Sequence, residues 1–165
     1  MRLFLIPLLT ATAASADFQD TWWGMTEENV SSYVSGAEPD DNRGRDVGNG
    51  HYKARFKAIY HLDGVRLSAA LCFEEGRGLQ RVALYPPDRN CPEMGLRIRD
   101  AYGRPDDIDI SAPNAFGEIS RELTWFHKPT GNTIRLWELG KDPIRPNICQ
   151  VIYGPLVNAG EIGGF

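Results

Sequence analysis

Across residues 51–61 apolar and polar positions alternate without a break. Tyr52, Ala54, Phe56, Ala58 and Tyr60 fall on one side, and His51, Lys53, Arg55, Lys57 and His61 on the other. A period of two is that of a half-buried β-strand with its apolar side against a core. Asp63-Gly64 predicts a tight hairpin into a second strand over 65–74, and the glycines at 76 and 78 turn the chain into a third over 79–85. Upstream the period changes. Val30, Tyr33 and Val34 stand at i, i+3, i+4, a helical stripe, with Thr26 placed to cap it and Glu27 and Glu28 in its first turn. Gly36 and Pro39 end that helix, and 40–50 reads as a loop.

The second half repeats the order. Asn90 can cap a helix with Glu93 three residues on, and Cys91, Met94, Ile98 and Ala101 form its apolar stripe. Gly103 and Pro105 end it, and strands follow near 121–127, 133–139 and 148–153. Landmarks recur as well. Pro39-Asp40-Asp41 returns as Pro105-Asp106-Asp107, His61 as His127, Arg66-Leu67 as Arg135-Leu136, and Leu84-Tyr85-Pro86-Pro87 resembles Ile152-Tyr153-Gly154-Pro155. Shared order predicts a tandem duplication, with units at about 22–87 and 88–156. The expected fold is α+β: six antiparallel strands with both helices on one face, the other face open to solvent or a partner. Pro39 is then expected to overlay Pro105, and His61 to overlay His127.

Residues 1–16 carry the pattern of an export signal. Arg2 supplies a positive start, Leu3 to Leu9 an apolar stretch, and Ala14-Ser15-Ala16 small side chains at the cleavage positions. Cleavage after Ala16 leaves a single domain over 17–165, with 17 basic and 22 acidic side chains. No Cys stands at that site, so a lipid-anchored product is not supported. A soluble periplasmic protein is expected, with no membrane span. The acidic balance argues against nucleic acid as a partner. An oxidising compartment lets one disulfide form among the three cysteines. Three pairings are open; the helix stripe facing the sheet favours Cys91–Cys149, leaving Cys72 as a buried small hydrophobe.

Two short motifs carry a resemblance. Trp23-Gly24-Met25-Thr26 before an acidic helix start, and Ala101-Tyr102-Gly103-Arg104-Pro105 at a helix end, resemble elements of small exported proteobacterial proteins without assigned function. The helix-plus-sheet plan also resembles β-lactamase-inhibitor-protein-like folds, shared by a small lipoprotein of the outer-membrane assembly machinery. The resemblance implies an envelope compartment and this fold, and suggests binding.

Candidate chemistry is sparse. His51 and His61 lie roughly 33 Å apart along one strand and cannot share a metal. Asp40-Asp41-Asn42 and Asp106-Asp107-Ile108-Asp109 lack calcium-loop spacing and read as surface turns. No serine sits in a nucleophile motif, and no glycine cluster makes a phosphate loop. No catalytic residue, metal or cofactor is therefore assigned. The sequon Asn29-Val30-Ser31 falls inside the first helix and is discounted. What stands out is the expected open face. Alternation places Arg55 and Lys57 there, the correspondence of the two halves adds Trp125, and alternation from Arg135 adds Trp137; with Arg66 they make an interface-like mix of arginine and tryptophan. A bulge would shift the register and send Trp125 into the core. The leading expectation is a non-enzymatic binding protein for an envelope protein or an anionic ligand. The alternative is a small hydrolase using carboxylates or His61 and His127.

Overall fold

The computed structural model describes residues 20–41, 46–47, 51–62, 65–87, 91–141, 146 and 148–156. The export signal at 1–16, the Asp63-Gly64 turn and the Asn90 cap lie outside the described residues. The elements run α1 (Glu27–Tyr33), β1 (Glu38–Pro39), β2 (Asp46–Val47), β3 (Tyr52–Leu62), β4 (Val65–Glu74), β5 (Gly78–Tyr85), α2 (Cys91–Tyr102), β6 (Asp107–Ile110), β7 (Ile119–His127), β8 (Asn132–Gly140) and β9 (Ile148–Pro155). A 3-10 turn, Lys128–Thr130, links β7 to β8.

All pairings are antiparallel, and among the described residues one nine-stranded sheet runs β1-β3-β4-β5-β9-β8-β7-β6, with β2 beside β3. Three more strands form than the six expected. β6 falls on the acidic cluster read as a surface turn, where Asp107-Ile108-Asp109-Ile110 alternates over four residues. The seam between the two halves is short: β5 and β9 pair through Val82–Tyr153, Ala83–Ile152 and Leu84–Val151.

Both helices cover one face. On α1, Val30 and Val34 are buried, whereas Tyr33 is 60% exposed and meets the Trp22 ring at 5.9 Å. Thr26 caps it: its Oγ1 accepts from the Asn29 N–H at 3.2 Å, and Asn29 Oδ1 accepts the Thr26 N–H at 3.3 Å. On α2 the buried side is Cys91, Met94, Gly95 and Ile98, with Tyr102 half-buried. Ala101, expected in that stripe, is exposed, because Tyr102 lies one residue closer to the axis of the stripe. The disulfide is Cys91–Cys149, with 5.5 Å between the Cα atoms, and ties the start of α2 to β9. Beneath the helices lie Phe56, Tyr60, Leu67, Leu71, Val82, Leu84, Leu123, Trp125, Ile134, Leu136 and Val151.

Two bulges decide which side chains reach the other face. One falls at Arg55 in β3, between Ala54 and Phe56, the other at Gln80 in β5, opposite the step from Cys72 to Phe73 in β4. Tyr52 and Ala54 therefore do not follow Phe56, Ala58 and Tyr60 onto the helix side. Ala54 joins Ala70, Cys72 and Ala83 in a second small cluster, with Tyr52 and Tyr85 packed on it. The two expected histidine equivalents also part company. Tyr60 points into the core, so His61 points away from the helices, whereas His127 packs edge-on against Tyr102 of α2 at 5.2 Å. β3 pairs with β4 out to Leu62–Val65, while β7 passes into the 3-10 turn after His127, so His127 sits in the other phase of its strand.

The Trp-Gly-Met element closes one end of the sheet. The Gly24 N–H donates to the Leu79 carbonyl at 2.8 Å, and the Leu79 N–H donates to the Met25 carbonyl at 2.9 Å. Trp23 Nε1 reaches across to the Oδ1 of buried Asn132 on β8 at 2.9 Å. This close approach requires Gly78, whose φ is +74°: a Cβ there would stand 2.5 Å from the Gly24 carbonyl oxygen and 2.6 Å from that of Met25. Gly76 has nearly the same φ, +73°, but nothing within 4 Å. Gly78→Ala is expected to cost about 3 kcal/mol, strain plus a backbone clash, and Gly76→Ala about 1 kcal/mol, strain alone. Urea denaturation of the two variants separates these values.

Candidate binding face

The strands' alternation places six expected binding residues, and they do not form one patch. Trp125 is the clearest correction. It is 2% exposed on the helix side of β7, and its Nε1 donates to the Gly103 carbonyl at the end of α2 at 3.0 Å. Its register partner is core Ile134, so Trp125 and Trp137 occupy opposite faces of the sheet. Arg55 sits at the β3 bulge and reaches back to α1, its Nε 3.4 Å from Glu27 Oε1. Lys57 is exposed and bonded to Asp41 Oδ2 at 2.9 Å, with Glu38 at 3.9 Å. That hydrogen bond, and then the Asp41 charge, raise its pKa above the ordinary lysine value. Local acids thus occupy both cations. Arg66 is exposed at the β3–β4 hairpin end opposite His61, roughly 20 Å from Arg135 by ladder spacing.

Arg135 and Trp137 do share the face away from the helices, two residues apart on β8. Trp137 is half-buried and its Nε1 donates to Ser120 Oγ at 2.9 Å. Arg135 is half-buried, with Nη1 3.6 Å from Glu122 Oε1. The sheet brings a residue to them that alternation did not single out. Arg81 follows the bulge on β5, is 8% exposed, and lies with its guanidinium 3.9 Å from the centre of the Tyr52 ring. Burial lowers its pKa from the usual arginine value, and the nearby Arg135 charge lowers it further. Small residues make the floor here: Ala70, Cys72 and Ala83 are at most 3% exposed, and Ile152 and Thr124 are also buried. Cys72 Sγ donates to the Ala70 carbonyl at 3.5 Å, as a buried thiol does.

On the helix side, sequence reasoning missed a buried ion pair. Glu138, 3% exposed, accepts from Arg121 Nε at 2.7 Å in the space beneath α2. Gly95 of α2 lies over the pair, where a Cβ would make ordinary contacts with Leu136 Cδ2 at 3.4 Å and Glu138 Oε1 at 3.7 Å. The pair sits among core residues and seats α2 on β8. His61 and His127, on opposite faces, cannot serve one catalytic centre. Among the described residues no group of three or more His, Cys, Asp or Glu stands ready to hold a metal, and no helix is long and apolar enough to cross a membrane.

The two tryptophans should respond differently to truncation. Trp125→Ala opens a core cavity and orphans the Gly103 carbonyl, an expected loss of about 3–5 kcal/mol. Trp137→Ala is expected to cost about 1 kcal/mol. Thermal midpoints of the two variants check the assignment of faces.

Comparison of the chain with protein-family models, curated proteins and solved structures finds no match.

Proposed function

We propose that this is a non-enzymatic binding protein of the bacterial periplasm, exported by cleavage after Ala16. It takes a carboxylate or phosphate of an envelope protein or component on the sheet face away from the helices. The observation that carries the reading is the Arg81–Arg135 neighbourhood. Two guanidiniums share one face over a floor of small side chains, framed by Tyr52, Tyr85 and Trp137. The two positive charges sit close enough to act on each other, and a guanidinium fork holds an arriving anion in a fixed orientation. Aromatic rims supply apolar area beside the charge.

The mirror order of the strands about the β5–β9 seam supports reading the halves as copies of one unit. So does the shared placement of Arg66-Leu67 and Arg135-Leu136, each with its leucine in the core. The Cys91–Cys149 bond supports an oxidising compartment.

Export predicts that mass spectrometry of the protein from its native cells finds Asp17 as the first residue. A product retaining Arg2 refutes it. Binding predicts that Arg135→Ala combined with Trp137→Ala abolishes crosslinked recovery of the principal periplasmic partner. The thermal midpoint should move by only a few degrees. Unchanged recovery moves the site elsewhere, and an unfolded variant makes the two side chains structural.

A further inference from the structure

β6 ends the sheet on its side, with no described strand beyond it. The Ser111 N–H donates to the Ser120 carbonyl at 2.9 Å, and this sets the phase of the β6–β7 ladder. Backbone groups of Asp107 and Asp109 face β7, so those of Ile108 and Ile110 face outward. The side chains divide as cleanly. Ile108 and Ile110, 55% and 58% exposed, stand on the helix side, opposite Leu123 and Arg121. Asp107 and Asp109 stand on the far side, opposite Thr124 and Glu122, and neither forms an ion pair among the described residues. The connection to β7 adds Phe116, 78% exposed.

Edge strands are ordinarily blunted with lysine, proline or a covering element. β6 has neither lysine nor proline; its guards among the described residues are its four-residue length, its two aspartates and Asp107 Oδ1, which accepts the Ile108 N–H at 2.9 Å. We propose that β6 is a docking edge for an extended segment of a partner protein in which basic and apolar side chains alternate. The added strand would continue the ladder, set its apolar side chains beside Ile108 and Ile110, and set its cations beside Asp107 and Asp109. A second copy of this chain does not fit. Two-fold pairing of β6 with itself places aspartates opposite aspartates, and like charges directly across a ladder are destabilising. The edge is separate from the Arg81–Arg135 neighbourhood and does not depend on it.

Amide hydrogen exchange read by NMR tests this with two short end-capped peptides, one of alternating lysine and valine, its twin with glutamate for lysine. The basic peptide should slow exchange at Ile108 and Ile110 saturably, and the acidic twin should bind about tenfold more weakly or less. Asp107→Lys combined with Asp109→Lys should reverse that preference, with the thermal midpoint unchanged. Arg135→Ala with Trp137→Ala should leave it intact. Protection by neither peptide, equal protection by both, a charge swap without reversal, or protection that grows with protein concentration alone overturns the proposal.

Discussion

Two half-sheets meet along a pairing of only three residues on each side, Val82 to Leu84 against Val151 to Tyr153. A seam so short contributes few ladder bonds, so the halves must be held by other means. Three clamps cross or flank it. The Cys91–Cys149 bond pins α2 to β9. The Gly24-Met25 backbone docks on Leu79 at the start of β5, and Trp23 extends from the same segment to Asn132 on β8. The third is apolar: Val82, Leu84, Val151 and Tyr153 present a continuous surface to both helices. Gly78 matters because the second clamp needs backbone against backbone, and any side chain there would stand in the way.

The face away from the helices is governed by the bulges. Each adds one residue to one strand and reverses the phase of the residues beyond it. Tyr52 and Ala54 are thereby moved off the core side, and Arg81 is brought beside Cys72 rather than beneath a helix. Because the floor is Ala54, Ala70, Cys72 and Ala83, long side chains from the neighbouring strands lie down over it. Arg81 lies there only 8% exposed, on the face that neither α1 nor α2 covers, with an aromatic ring in contact.

Much of the fold is legible in the sequence because periodicity is a packing signal. The long strands β3, β4, β5, β7, β8 and β9, both helices and the Cys91–Cys149 pairing follow from residues whose apolar side must be buried. Arg135 and Trp137 fall on one face for the same reason. What periodicity cannot supply is the phase. In β3 the alternation from Tyr52 to Tyr60 is unbroken, yet the strand bulges at Arg55, and no local residue marks it. On β5 a trace does exist: Leu79 and Val82 are both core residues three apart, a spacing a regular strand forbids. Trp125 lands on the wrong face when β7 is aligned to β3 through His61 and His127. The equivalence slips by one residue between the two hairpins, which is enough to exchange the faces.

The same phase rule separates the two chemistries of the surface. Even-numbered residues of β7 and odd-numbered residues of β8 put Glu122, Thr124, Arg135 and Trp137 on the far face. The opposite set buries Leu123, Trp125, Ile134, Leu136 and Glu138 under α2. Glu138 is tolerated there because Arg121, its register partner, meets it in the same layer, whereas an unpaired carboxylate beneath a helix would cost several kcal/mol or take up a proton. On the far face, by contrast, the carboxylate that approaches Arg135 among the described residues is Glu122, at 3.6 Å, and Asp107 and Asp109 lie one strand further out. The aspartates thus stand at the β6 edge of that face, and Arg135, Arg81, Arg66 and Lys57 on strands further in and beyond. A partner that bears an anion and a basic extended segment would meet complementary charge at both places. A uniformly charged one would be repelled at one of them.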